Sequence, residues 1–245
     1  MEENKVCVIT PIANMMLSPN HDSELHAQWY FNDLFKLSGQ SKGNWVLVHS
    51  VGTNDQGWIL RSQLESLNTS SPSLDVVQQN INSGLLPDGV VFIMSGKKHI
   101  LLEQKLYPID KGRWTTIDVR DILKTILDVP YMWGGMTKYG IDCSGLSRFL
   151  YRFAGIYLPH NAAEQSTMGQ LVDFLQEVQV GDLAFFEDEF HAITHVGVML
   201  SPNSIIHASE KSGRVVVNHM DMSGIIDSQG RRSHSLRFIK RILST

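Results

Sequence analysis

The residues best suited to nucleophilic or metal chemistry in this chain are its 2 cysteines and 10 histidines. Their contexts separate the two kinds of chemistry. Cys143 lies in YMWGGMTKYGIDCSGLSRFL, which runs from Tyr131 to Leu150. His195 lies at the start of the apolar, β-branched run ITHVGVML, and His207 lies in a second short run, SIIHAS. A cysteine nucleophile needs a base within hydrogen-bond reach and a third polar group to orient that base. Cys143, His195 and His207 can fill those three places. The bland alternative makes Cys143 a small core hydrophobe and His207 a satisfied core histidine. The pair of histidines downstream of one cysteine favours the chemical reading. Zinc is the other possibility, because His191 and His195 stand four apart and would share one face of a helix. Their run reads as strand, however, where that spacing does not converge two imidazoles, and no glutamate follows His191. Nor do Gly134 and Gly135 form a phosphate loop, since no Lys-Ser or Lys-Thr follows them. No metal and no cofactor are therefore expected.

The elements that must position these residues are legible in outline. Gly134 and Gly135 supply a turn. Asp142 stands where a helix N-cap is wanted. Leu146, Phe149, Leu150 and Phe153 then form one apolar helical face, with Ser147, Arg148 and Arg152 on the other. Gly155 stops the helix and Pro159 follows. Cys143 thus falls in the first turn, where free N–H groups and the helix dipole favour a thiolate. His195 and His207 are 12 residues apart, which suits adjacent antiparallel strands joined at Ser201-Pro202-Asn203.

Together YMWGG, IDCSGL, VGDLAFF, ITHVGVML and IIHAS resemble the NlpC-type family of papain-like cysteine peptidases, which cleave bacterial cell-wall peptides; the resemblance covers about residues 117–240. It implies Cys143 as nucleophile, His195 as base and His207 as the group that orients the base. It places Tyr131 beside the reaction centre and Asp142 against the free amine of the substrate in muropeptide-recycling members. Tyr131, Asp142, Ser144, Trp133 and Phe31 are the candidate oxyanion and substrate contacts. Phe31, in QWYFND, stands where amine-reading members have a tyrosine. Ala163 and His160 stand where they have a serine and an arginine.

The remainder of the chain reads as follows. A hydrophobic content of 42%, a charged content of 19% and a net charge of −4 suit a globular protein and give no footprint for nucleic acid or an anionic membrane. Two cysteines exclude a disulfide scaffold. The start, MEENKVCVITPIANMML, lacks a leader pattern, and no run is long enough for a spanning helix, so a cytoplasmic protein is expected, or an exported one if a leader has been removed. Residues 1–67 read as a small all-β barrel resembling a bacterial SH3-like domain, with apolar runs at Val6–Ile9, Trp29–Phe31, Trp45–Val48 and Trp58–Leu60. Residues 68–116 read as a Ser/Pro-rich linker, NTSSPSLD, then a second small β-rich module for which another SH3-like barrel is one form. DVVQQNIN is a candidate short helix there, and VVFIM and KHILLEQKLYPI are candidate strands. Residues 117–245 read as the catalytic domain: a helix in IDVRDILKTILD, the Cys143 helix, a short helix capped by Asn161, then antiparallel strands. The fold class is α+β, a papain-like domain with helices before an antiparallel sheet, preceded by one or two SH3-like barrels.

The function this implies is a cysteine endopeptidase of peptidoglycan stem peptides, cutting the γ-D-glutamyl–diamino acid bond of free-amine muropeptides. Peptidoglycan-derived peptides are the expected partners, with no nucleic acid and no membrane, and the chain is expected to act as a monomer. The rival readings are a papain-like amidase or acyltransferase, and a catalytically weak protein that binds cell-wall peptides.

Overall fold

The computed structural model describes residues 4–66, 81, 83–94, 96–112 and 119–243. They form two compact units, one within residues 4–110 and one of residues 111–112 with 119–243. Among the described residues no helix is long and apolar enough to cross a membrane.

In the first unit alternating apolar residues build a seven-stranded antiparallel sheet. Its strands are β1 (Lys5–Val8), β2 (Ile12–Met16), β3 (Leu25–Tyr30), β4 (Leu34–Lys42), β5 (Trp45–Ser50), β6 (Gln56–Leu60) and β7 (Leu64–Ser66), in the order β3-β2-β6-β5-β4-β1-β7. Val6, Val8, Met15, Phe35, Val48 and Ile59 pack around Trp29, whose ring meets Phe35 edge-on at 4.9 Å. Trp29 is thus a core residue. The polar cluster Ser38-Gly39-Gln40, which reads as a turn, lies inside β4, where the pairing with β5 slips between Leu37 and Ser41. Gly39, at φ 87°, supplies the left-handed backbone the irregularity needs. β2 and β4 have no strong apolar run and were not distinguishable as strands by pattern alone.

A three-stranded sheet follows, of β8 (Val91–Met94), β9 (Lys97–Leu102) and β10 (Lys105–Pro108). The run KHILLEQKLYPI is broken into a hairpin at Glu103 and Gln104, both at positive φ (47° and 62°). Such a turn usually carries Asn or Gly; here the Glu103 N–H is held by Asp88 Oδ1 at 2.8 Å. The expected linker at 68–75 lies outside the described residues, as does the helix expected at 75–82 except for Ile81, which is helical.

The second unit opens with α1 (Val119–Ile126), then the short hairpin β11 (Met136–Thr137) and β12 (Gly140–Ile141), α2 (Cys143–Arg152) and α3 (Ala162–Gln165). β13 (Gln170–Val172), β14 (Leu183–Glu187), β15 (Ile193–Ser201), β16 (Ser204–Ser209), β17 (Arg214–Asp221), β18 (Gly224–Ile226) and β19 (Arg232–Arg241) complete it. The long strand β19 pairs with β14 at one end and with β18 at the other, so β14 through β19 close into a ring with no free edge. Ala184, Phe186, Met199, Ile205, Met220 and Ile225 fill one continuous core.

Helix α2 packs on β15 and β16. Its apolar stripe is as the periodicity predicts, but its second face is not exposed: all ten residues are buried, Arg148 and Arg152 included. The segment after the helix covers that face. Arg152 lies over the Tyr157 ring. Gln165, fully buried, donates to the Ser144 and Pro159 carbonyls at 3.1 and 2.8 Å and accepts from Ser147 Oγ at 2.6 Å. A polar face can be buried when each group finds a partner, and Gln165 supplies one to the Ser147 hydroxyl and one to the Ser144 carbonyl.

Candidate active site

The loop before α2 is held by the cap of α2 itself. Asp142 Oδ1 accepts from the Gly145 N–H at 2.6 Å and from Ser144 Oγ at 3.0 Å; Oδ2 accepts from the Gly134 N–H at 2.7 Å. One carboxylate therefore caps the helix and ties it to the double-glycine turn. The two glycines serve different needs. Gly134 takes positive φ, 72°. A Cβ on Gly135 would meet the Gly140 carbonyl oxygen at 2.6 Å, so there the limit is space. Burial raises the Asp142 carboxyl from its ordinary value, while the bonds from Gly145, Gly134 and Ser144 and the positive charge of Arg148 pull it back. Arg148 thus sets charge against the buried cap from within the same helix.

Cys143 begins α2 with 8% of its surface exposed. Its sulfur faces the backbone N–H groups of Val196, Ser144 and Cys143 itself, each of which favours the thiolate. β15 therefore delivers its His195–Val196 step to the start of the helix. Desolvation and the Asp142 carboxylate oppose those N–H groups and win: the thiol is pushed up to about 12. The expectation that the helix terminus would make a thiolate is not met, because a dipole worth about 1 kcal/mol does not offset the burial of a thiolate beside the Asp142 carboxylate. His195, equally buried, is drawn well below the usual imidazole range by desolvation, then by His234 and His207. Both shifts favour the uncharged forms, thiol and neutral imidazole. Alkylation of Cys143 by iodoacetamide is accordingly expected to be slow at pH 7 and still rising above the free-thiol value of about 8.5. A plateau below pH 8 would instead reveal a preformed ion pair.

His195 and His207 come together as the strand spacing predicts. β15 and β16 pair antiparallel, and His195 Nε2 lies 2.9 Å from His207 Nδ1. Room for this comes from Gly197: a Cβ there would press on Ile205 Cδ1 at 2.6 Å and on His207 Cβ at 3.1 Å. On the far side His207 Nε2 lies 2.9 Å from Asn218 Oδ1. Burial lowers the His207 imidazole, with Asn218 acting the other way. His234 of β19 stacks on His195 with ring centroids 4.1 Å apart and planes 23° from parallel, and is itself drawn down to about 4, chiefly by desolvation.

One nitrogen from each of His195, His207 and His234 lies within 4.8 Å of the others. For a metal the arrangement is poor: two of the rings are hydrogen-bonded to each other, and the stacked pair directs its in-plane lone pairs side by side rather than toward one centre.

Of the expected substrate contacts, Tyr131 is half-buried; desolvation, then its acidic neighbours Cys143, Asp142 and Glu210, raise its phenol and keep it a hydrogen-bond donor. Trp133 is 61% exposed in the same loop. The Ser144 hydroxyl is committed to Asp142. Phe31 belongs to the first unit, in the turn after β3, where its ring packs 6.2 Å from that of Phe92. Three residues were missed from sequence. Asn218 had a faint signal, as the polar member of the alternating run RVVVN that lies two residues from Val216, the partner of His207. His234 and Gln165 had none, since only the closure of the strands and the return of the chain over α2 bring them in.

Comparison with known proteins extends this geometry. The sequence model of the NlpC/P60 family matches residues 128–230. A γ-D-glutamyl-L-lysine dipeptidyl-peptidase of Bacillus subtilis is 32% identical over 111 residues, 44% of this chain and 37% of that protein. The Bacillus cereus protein of the same name is 25% identical over 227 residues, 76% of this chain and 68% of that one. The chain thus spans well under half the length of the Bacillus subtilis relative. The crystal structure of an NlpC/P60 family protein from Bacillus cereus shares the fold at a TM-score of 0.69 and 18% identity, covering 98% of this chain and 100% of that chain. The matched segment, residues 128–230, contains Cys143, His195 and His207, so it is the site-bearing part of this chain that is similar to the NlpC/P60 family.

Proposed function

We propose that the chain is a cysteine endopeptidase that hydrolyses peptidoglycan stem peptides at the bond between γ-linked D-glutamate and the following diamino acid. The observation that carries this is the buried Cys143 at the start of α2, facing the His195–Val196 step of a strand whose histidine is hydrogen-bonded to His207. The names of the two Bacillus relatives supply the bond.

In this mechanism the Cys143 thiol gives its proton to His195 as sulfur attacks the carbonyl carbon. The backbone N–H of Cys143 and the Tyr131 hydroxyl stabilise the oxyanion. Collapse breaks the C–N bond, and the imidazolium returns the proton to the leaving amine. A thioester remains. Water, deprotonated by His195, attacks it and releases the glutamyl γ-carboxylate and the thiol. His207 holds the ring and tautomer of His195. The antiparallel first unit is read as SH3-like, with Trp29 in its core, and the second as the papain-like domain.

Asp142 is the candidate for reading a free L-alanine amine. Its two oxygens already accept three hydrogen bonds, which leaves one acceptor direction for an ammonium. A preference for the free amine of about tenfold follows, the worth of one charge-assisted bond of roughly 1.5 kcal/mol. Mass spectrometry of L-Ala-γ-D-Glu-diaminopimelate and its N-acetylated form after incubation tests both levels. Equal rates would exclude amine reading, and cleavage of neither at the γ-glutamyl bond would exclude the endopeptidase.

A further inference from the structure

We propose that Asn218 is a positioning residue that decides which nitrogen of His195 carries the proton. This rests on the reading of Cys143 and His195 as nucleophile and base, and the three groups it uses form one line: Asn218 Oδ1, His207 Nε2 at 2.9 Å, then His207 Nδ1 and His195 Nε2 at 2.9 Å.

The polarity of that line is set at its far end. An amide oxygen accepts and never donates, so the bond to Asn218 requires the proton on His207 Nε2. A neutral imidazole carries one N–H, so His207 Nδ1 then holds a lone pair. The contact with His195 must therefore be donated by His195 Nε2, and the lone pair of His195 is left on Nδ1, the nitrogen that does not face His207. That is the base that can take a proton from Cys143. Burial of His207 keeps it neutral. A proton on Nδ1 of His207 would turn the second bond round and leave His195 with its lone pair on Nε2, already engaged by His207.

The backbone supports the same arrangement. His207 lies opposite Val216, and Ile205 lies opposite Asn218, so Asn218 is the diagonal neighbour of His207 on one face of the β16–β17 pair. The titratable groups around the line are His195 on β15, His234 on β19 and Cys143 on α2, with the charge of Lys211 acting on His234. None of them accepts a proton from His207 Nε2 in the bonds described, so Asn218 is the group that fixes the tautomer.

The test joins spectroscopy to kinetics on the full chain. With ¹⁵N-labelled histidine at pH 7.5, His207 is assigned by the signals that vanish in His207→Gln. It is expected to be protonated at Nε2 and bare at Nδ1. Loss of the base's orientation costs serine peptidases orders of magnitude; Asn218 acts one bond further out, so Asn218→Leu is expected to lower kcat about tenfold with KM unchanged. Asn218→Asp keeps the acceptor. It should restore most of kcat at pH 8 and move the acid limb of the kcat profile upward, because a carboxylate stabilises the His207 imidazolium. A His207 proton on Nδ1 in the native chain overturns the proposal, as does a native kcat with a native tautomer in Asn218→Leu. The spectrum of the unmutated protein decides whether or not the variants fold, and it does not depend on peptide hydrolysis. A correct tautomer with no turnover would therefore count against the proposed reaction and not against the role of Asn218.

Discussion

Replacing Cys143 by alanine is expected to abolish hydrolysis while leaving the second unit folded. The change removes one sulfur from a helix whose N-cap, Asp142, is untouched and whose first-turn bonds from Gly145 and Ser144 to that cap remain. The cost to stability is the transfer energy of one small buried group, about 1 kcal/mol. Chemistry loses its nucleophile, because it is the Cys143 sulfur that the Val196 N–H faces. A fall of at least about a thousandfold in kcat is expected, as for the removal of other covalent nucleophiles. The measurement is turnover of a defined muropeptide beside circular dichroism and thermal unfolding of the same preparation. More than a tenth of the native rate in a folded Cys143→Ala would remove Cys143 as nucleophile and leave it a core residue.

Gly145→Ala is expected to destabilise the second unit and to disable the site, although helix propensity alone argues the reverse. In a helix interior alanine is better than glycine by about 1 kcal/mol. Here the added Cβ would fall on the Gly135 carbonyl oxygen, far inside van der Waals contact, with the Gly135 carbonyl carbon at 3.1 Å and Asp142 Oδ1 at 3.0 Å. The neighbours are backbone and a fixed carboxylate, so none can swing aside. Relief requires the double-glycine turn to move off the helix. That move breaks the link from Gly134 through Asp142 to Gly145, and Cys143 shifts with it. Overpacking of this kind costs about 1–3 kcal/mol after the propensity gain, or roughly 5 °C in Tm for a unit of this size. Activity should fall more than tenfold, because a displacement of about 1 Å in the first turn misplaces the nucleophile. Differential scanning calorimetry gives the sign directly. A higher Tm in Gly145→Ala would mean that the loop accommodates the methyl and that the glycine is not required for close approach.

The outcomes at individual residues show where sequence reading reached and where it stopped. The N-cap at Asp142 and the apolar stripe of α2 were legible because both depend on neighbours within a turn or two. The pairing of the strands carrying His195 and His207 was legible because a 12-residue spacing with one Pro-containing turn leaves few alternatives. Cys143, His195 and His207 could therefore be singled out as candidates from the sequence. Gly39 and the Glu103–Gln104 hairpin were misread because the local residue types there point one way and the sheet partner decides the other.

The sequence alone determined the identity of the groups that could react and the elements that bear them, since both are properties of short windows. Tertiary structure decided their state. Whether the thiol at a helix start is charged depends on a contest between nearby N–H groups and burial beside Asp142, and burial is set by what covers the helix. Whether Asp142 is a free carboxylate or a saturated clamp depends on how near Gly134 is brought. The line from His195 to Asn218 and the stack of His234 on His195 arise from strands β15, β16, β17 and β19 meeting in one closed sheet. Desolvation, close approach and cross-strand pairing depend on what the folded chain brings against a group, and residue types within a short window do not state that.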